Sequence, residues 1–133
     1  MSRVFVSGSF DPLHSGHVAF FKTAARHGDL CVGIGSDYSI RKYKHEPFCT
    51  QEERLFMVKA IRYVSHAWIN TGEGPFDFKK DLAQKRITKV IVNEDQHDEE
   101  KESWCWDLGI EYIVLPRIPE PGLPERHSTD FRK

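Results

Sequence analysis

The longest apolar runs of this sequence fall far short of the ~20 residues that a membrane span requires, so no membrane segment is expected. Met1-Ser2-Arg3 runs straight into a short apolar stretch, without a charged leader and a long apolar core, so no secretory signal is expected and a cytoplasmic setting is. Cysteine is scarce. Cys31, Cys49 and Cys105 are odd in number, far apart and without C-x-x-C spacing, which argues against a disulfide framework and a thiolate zinc site. An excess of one charge is missing too: a formal net charge of -1 is unlike the basic balance of a general nucleic-acid binder. Small anionic ligands stay open, because local charge can differ from the net. Repeats, low-complexity tracts and linkers are also absent.

What is present is an ordinary globular composition, 39% hydrophobic and 29% charged over 133 residues, which predicts one domain spanning 1–133. Apolar Val4 to Val6 reads as a buried strand, Val18 to Arg26 as a helix and Leu30 to Gly35 as a second buried strand. That order within about thirty residues makes a right-handed βαβ unit and hence a parallel sheet. Ser36 to Cys49, rich in Arg41, Lys42, Lys44 and His45, reads as a basic loop. Thr50 with Glu53 suggests a capping box opening a helix to about Tyr63. Further strands are predicted at Ala67–Ile69, Val90–Val92 and Glu111–Leu115, with a helix over Phe76–Arg86 and an acidic segment, Asn93 to Trp106, holding a short helix. The tryptophans of that segment, Trp104 and Trp106, are expected to pack in the core. The fold class is therefore α/β, a Rossmann-like doubly wound parallel sheet of about five strands with helices on both faces.

The chemistry concentrates in GSFDPLHSGH, Gly8 to His17. A strand here delivers a glycine and two histidines onto the first turn of a helix, where backbone N–H groups and the helix dipole favour an anion. His14 and His17, three residues apart, share a face of that turn. Gly8 and Gly16 are expected to let a phosphate approach the backbone, with Asp11 and Pro12 forming a turn. An isolated H-x-x-H would read as a helix cap or half a metal site. The preceding strand and the glycines favour phosphate.

The stretch resembles the G-x-F-D-x-x-H-x-G-H signature of the cytidylyltransferase-like nucleotidyltransferases, closest in pattern to the glycerol-3-phosphate cytidylyltransferases. Gly33 to Asp37, Lys44, Glu53 with Arg54, Ile61 to Val64, and the C-terminal His127 to Arg132 extend the likeness over most of the chain. The resemblance implies attack by a phosphate or phosphonate monoester on the α-phosphate of a nucleoside triphosphate, with release of pyrophosphate. Such in-line transfer needs positioning and charge stabilisation, not a protein nucleophile. It assigns catalysis to His14, His17, Lys44 and Arg132, and nucleotide contacts to Gly8, Ser9, Phe10, Asp11, Gly16, Asp95, Arg117, Ser128 and Thr129. It assigns the acceptor to Lys44, Asp37 and Arg54, with Mg²⁺ carried on the nucleotide phosphates. A homodimer through Thr50 to Asn70 is also implied.

CTP is the expected donor, joining CMP to a small phosphate or phosphonate metabolite. Adenylyl or guanylyl transfer on the same scaffold is the alternative, and a non-catalytic nucleotide-binding domain a further one. Ser65, where the glycerol-phosphate enzymes carry aspartate, and Gln96, where they carry tryptophan, depart from the pattern in regions expected near the base. The proline-rich piece between Arg117 and Ser128 is an addition expected to reshape the acceptor pocket.

Overall fold

The computed structural model describes residues 2–131. Strands β1 (Arg3–Gly8), β2 (Asp29–Ile34), β3 (His66–Ile69), β4 (Lys89–Asn93) and β5 (Glu111–Leu115) form one sheet in the order β3-β2-β1-β4-β5. Every pairing in it is parallel. Helices α1 (Ser15–Ala24), α2 (Asp37–Tyr43), α3 (Gln51–Lys59), α4 (Lys79–Gln84) and α5 (Glu99–Asp107) make the crossovers. The expected doubly wound α/β fold is what is found.

Period-two alternation along the strands sends side chains to two cores. Val4, Val6, Leu30, Val32 and Ile34 face α1 and α3, meeting Phe21, Ala24 and Val58. Phe5, Cys31, Val90 and Val92 face α4 and α5, meeting Leu82, Trp104 and Cys105. Trp104 is 8% exposed and packs as expected, whereas Trp106 is 85% exposed and does not. Among the described residues no helix is long and apolar enough to cross a membrane.

The segment read as a basic loop instead contains α2. Ser36 caps it by accepting from the Ser39 N–H, Asp37 sits favourably in its first turn, and Ile40 anchors it in the interior. At the next helix Thr50 Oγ1 accepts from the Glu53 N–H at 3.2 Å, the N-cap half of the expected box.

A parting between two central strands positions the site. β1 runs to Gly8 and β4 to Asn93, yet their pairing is confined to Val4 with Lys89 and Phe5 with Val90. Beyond Phe5 the two strands part. The gap lies at the C-terminal ends of the central strands, where the strand order reverses direction, the crevice in which open α/β sheets bind ligands.

Candidate active site

Gly8 ends β1, and Phe10 follows in the left-handed region at φ 52. That turn folds the Phe10 ring back under the strand end. A Cβ on Gly8 would stand 2.9 Å from Phe10 Cζ, so the glycine makes room for this ring. Phe10 in turn meets His17 edge-on, with centroids 5.0 Å apart at 83°, and packs on Phe21 at 5.2 Å. Its part is to hold His17.

His14 caps α1 and His17 lies in its first turn, each ring tied to the backbone. His14 Nδ1 accepts from the Gly16 N–H and His17 Nδ1 from the His14 N–H, both at 3.1 Å. A Cβ on Gly16 would come within 2.9 Å of the His14 ring, so here too glycine admits a side chain. The rings stack with centroids 3.7 Å apart and 23° between planes. Burial, the neighbouring His14 and Arg117 pull the His17 pKa down to about 3. Burial first, then Arg117, lowers that of His14. Both are therefore neutral at pH 7, and because Nδ1 accepts in each, the ring proton sits on Nε2. The motif presents two imidazole N–H donors, a neutral cradle for an anion.

Around them lies a cavity of about 260 Å³, lined by Gly8, Ser9, His14, His17, Lys44, Asn93, Gln96, Arg117 and His127 among others. A second, of about 380 Å³, shares Ser7, Gly8, Ser9, Lys44 and Gln96 with it and continues along Phe5, Ile40, Tyr43, Phe76, Asp77 and Phe78. Lys44 marks the junction, its Nζ donating to Ser9 Oγ at 2.9 Å. Asp95 and Arg117, both expected at the nucleotide, are ion-paired with each other, and Arg117 also donates to the Arg126 carbonyl at 3.1 Å. The added proline-rich segment is strapped to α1 by Lys22 and Glu120 at 2.7 Å. It closes a small cavity of about 80 Å³ between Gly16, Ala19 and Phe20 on one side and Pro116 to Pro119 on the other. It thus lies beside the histidine motif and not in the larger cavity.

Other expected site residues are elsewhere. Arg54 is fully buried, and its guanidinium donates to the carbonyls of Cys49, Ser9 and Gly35 and to the Asp37 carboxylate. With its donors so engaged it does not reach an acceptor, and neither does Asp37, which lines neither large cavity. Together they pin the ends of β1 and β2 to α3. Asp11 is also buried, its two carboxylate oxygens accepting from the N–H groups of Phe48 and Cys49 at 2.9 Å. It fixes the loop behind the motif and is not a free metal ligand. Ser65 donates its N–H to the Leu30 carbonyl, at the start of β2 and β3. That is the opposite end of the strands, so Ser65 does not bear on base choice. Gln96 does lie at the site. Ser128 and Thr129 open a 3₁₀ turn over Ser128–Phe131, whose Phe131 ring stacks on His14 at 6.3 Å. Arg132 lies outside the described residues.

The sequence reading missed Asp77 and Lys101, which line the larger cavity. The available signal was a carboxylate between two aromatics, Phe76-Asp77-Phe78, at a position that otherwise reads as core.

A parallel sheet that parts at its switch point, with imidazole donors at the adjoining helix start, places the molecule among the α/β proteins of the nucleotidyltransferase superfamily. Within that class, the family model described as "Cytidylyltransferase-like" matches residues 5–131. The chain belongs to that family. It is 36% identical over 118 residues to the FAD synthase of Methanopyrus kandleri, covering 84% of this chain and 77% of that protein. It is 35% identical over 134 residues to the FAD synthase of Methanocella paludicola, covering 100% and 95%. Among solved structures, the lipopolysaccharide core biosynthesis protein from Thermoplasma volcanium superposes with a TM-score of 0.75 at 26% identity, over 90% of this chain and 98% of that one.

Proposed function

We propose that this protein is an adenylyltransferase that joins the AMP unit of ATP to a phosphorylated acceptor, and that the acceptor is FMN, giving FAD and pyrophosphate. The observation that carries the reading is the pair of contiguous cavities meeting at Ser9 and Lys44. One holds the triphosphate against the histidines; the other, larger and aromatic, holds the acceptor. The CTP expectation yields to its adenylyl alternative because FAD contains an AMP unit, and FAD synthases are relatives over nearly the whole chain.

The mechanism follows from the positions of the side chains. An oxygen of the acceptor phosphate attacks the α-phosphorus in line, the bond to the β-phosphate bridging oxygen breaks, and pyrophosphate departs. No protein group is adenylylated on the way, so the work is positioning and charge stabilisation. His14 and His17 donate their Nε2–H to the oxygens that gain charge. Lys44, at the junction, neutralises repulsion between the acceptor phosphate and the α-phosphate. Arg117, Ser128, Thr129 and Arg132 are proposed to bind the β- and γ-phosphates. Mg²⁺ would be carried on the triphosphate, and Asp11, engaged with backbone N–H groups, is not needed as its ligand. The ion would neutralise phosphate charge.

Each of ATP, CTP and GTP, offered with Mg²⁺ and either FMN or glycerol 3-phosphate, tests the reading through pyrophosphate release and product chromatography. ATP with FMN should give FAD and pyrophosphate in equal amounts. Turnover of CTP with glycerol 3-phosphate, and none of ATP with FMN, overturns it.

The proposal includes a homodimer through Thr50 to Asn70. β3 is an edge strand, and Phe56 on α3 is 75% exposed. Sedimentation should show a dimer that Phe56→Glu converts to monomer; a wild-type monomer at all concentrations removes this part.

A further inference from the structure

We propose that Asp77 and Lys101 form a polar clamp that selects the acceptor by one edge: a flat heteroaromatic ring that presents an N–H donor beside a carbonyl. The inference rests on the larger cavity being the acceptor's, and deepens it by naming what recognises the end remote from the phosphate.

The cavity is walled by Phe5, Tyr43, Phe76 and Phe78, whose faces favour a planar π-system over a flexible polyol. Asp77 lies within this wall. Its residue is 7% exposed, and its Oδ1 accepts from the amide of the equally buried Asn70 at 3.1 Å. The backbone on either side is locked, Asp77 N–H donating to the Gly74 carbonyl at 3.1 Å and Gly72 N–H to the Asp77 carbonyl at 2.9 Å. The carboxylate is thus held in place with its second oxygen, Oδ2, accepting no hydrogen bond from any described residue. That oxygen lies beside Gly35, itself part of the cavity lining, where a ligand N–H can reach it.

Lys101 complements it. Its ammonium lies over the Phe78 ring at 5.6 Å and lines the same cavity without an ion pair among the described residues. It stands ready to donate to a carbonyl. Burial pushes Asp77 up to about 6 and lowers Lys101, and the opposite charge of each partly offsets the shift of the other. A donor flanked by a carbonyl is the edge of a cyclic imide, and the ring of FMN carries one.

The test is binding of FMN and of its N3-methyl analogue, followed by flavin fluorescence, with ATP binding and FAD formation measured in parallel. Wild-type protein should bind FMN on the order of ten- to a hundred-fold more tightly than the methylated flavin. Asp77→Ala should bind the two flavins alike, with ATP binding unchanged. Lys101→Met should weaken both while keeping the discrimination. The wild-type comparison needs no variant, so a misfolded Asp77→Ala does not block it. FAD formation with equal affinity for both flavins overturns the clamp and leaves the adenylyl reading standing. Discriminating flavin binding without FAD formation supports the clamp and sinks that reading. No flavin binding sinks both.

Discussion

Lys44 Nζ donates to Ser9 Oγ at 2.9 Å, and this contact stands where the two cavities of the site meet. On the proposed reading a cation at that point serves both phosphates, so its loss should be felt by both substrates. Lys44→Met is expected to lower kcat/KM for ATP and for the acceptor alike, on the order of 10²–10³-fold. Steady-state kinetics with each substrate varied in turn check this; a defect confined to one substrate argues against the shared position.

His17→Ala should reduce turnover on the order of 10²–10⁴-fold with the fold intact. The variant also has a stability signature. The His17 pKa of about 3 lies below the ordinary histidine value of 6.5, so the unfolded chain binds its proton first. That contribution is present above pH 6.5 and is lost as the pH falls towards 3. Urea unfolding at pH 7 and at pH 4.5 should therefore show a shallower acid-side loss for His17→Ala than for the wild type.

Asp77 gives the opposite slope. Its pKa of about 6 exceeds the ordinary 3.8, so the fold favours the protonated carboxyl and loses stability as the pH rises from 3.8 through 6. Asp77→Asn removes that loss. Relative to wild type it should gain more at pH 7 than at pH 4, by on the order of 2–3 kcal/mol at most, read from urea unfolding at both pH values.

Arg54→Met should destabilise the fold by about 3–5 kcal/mol, because it leaves Asp37 and three carbonyls without their shared donor. A melting temperature within a degree or two of wild type would contradict the role assigned to Arg54.

Much of this was legible in the sequence because hydrophobic period and motif spacing are local signals. The limits of β5 were read correctly, and the tie between His14 and His17 follows from their three-residue spacing. What escaped depended on distance. α2 has one deeply buried apolar residue, Ile40, so its composition reads as loop until its cap and its packing are seen. Arg54 reads as a surface charge, although it lies four residues before buried Val58 on the same helical face. Ser65 looked close to the base because likeness in sequence does not say which end of a strand a residue occupies. At Gly8 and Gly16 the nearest side-chain atoms belong to Phe10 and His14, contacts that motif spacing alone does not show.

The parting of β1 from β4 beyond Phe5 and Val90 has a consequence for solvent. The middle of a parallel sheet is ordinarily where backbone amides exchange with deuterium most slowly. Here the C-terminal half of the central pair has lost its cross-strand partners, so amides of Ser7, Gly8 and Ile91 to Asn93 that point into the gap should exchange early despite their central position. Addition of nucleotide should slow them before any amide of β3 or β5 responds, giving a residue-by-residue record of occupancy from the heart of the molecule.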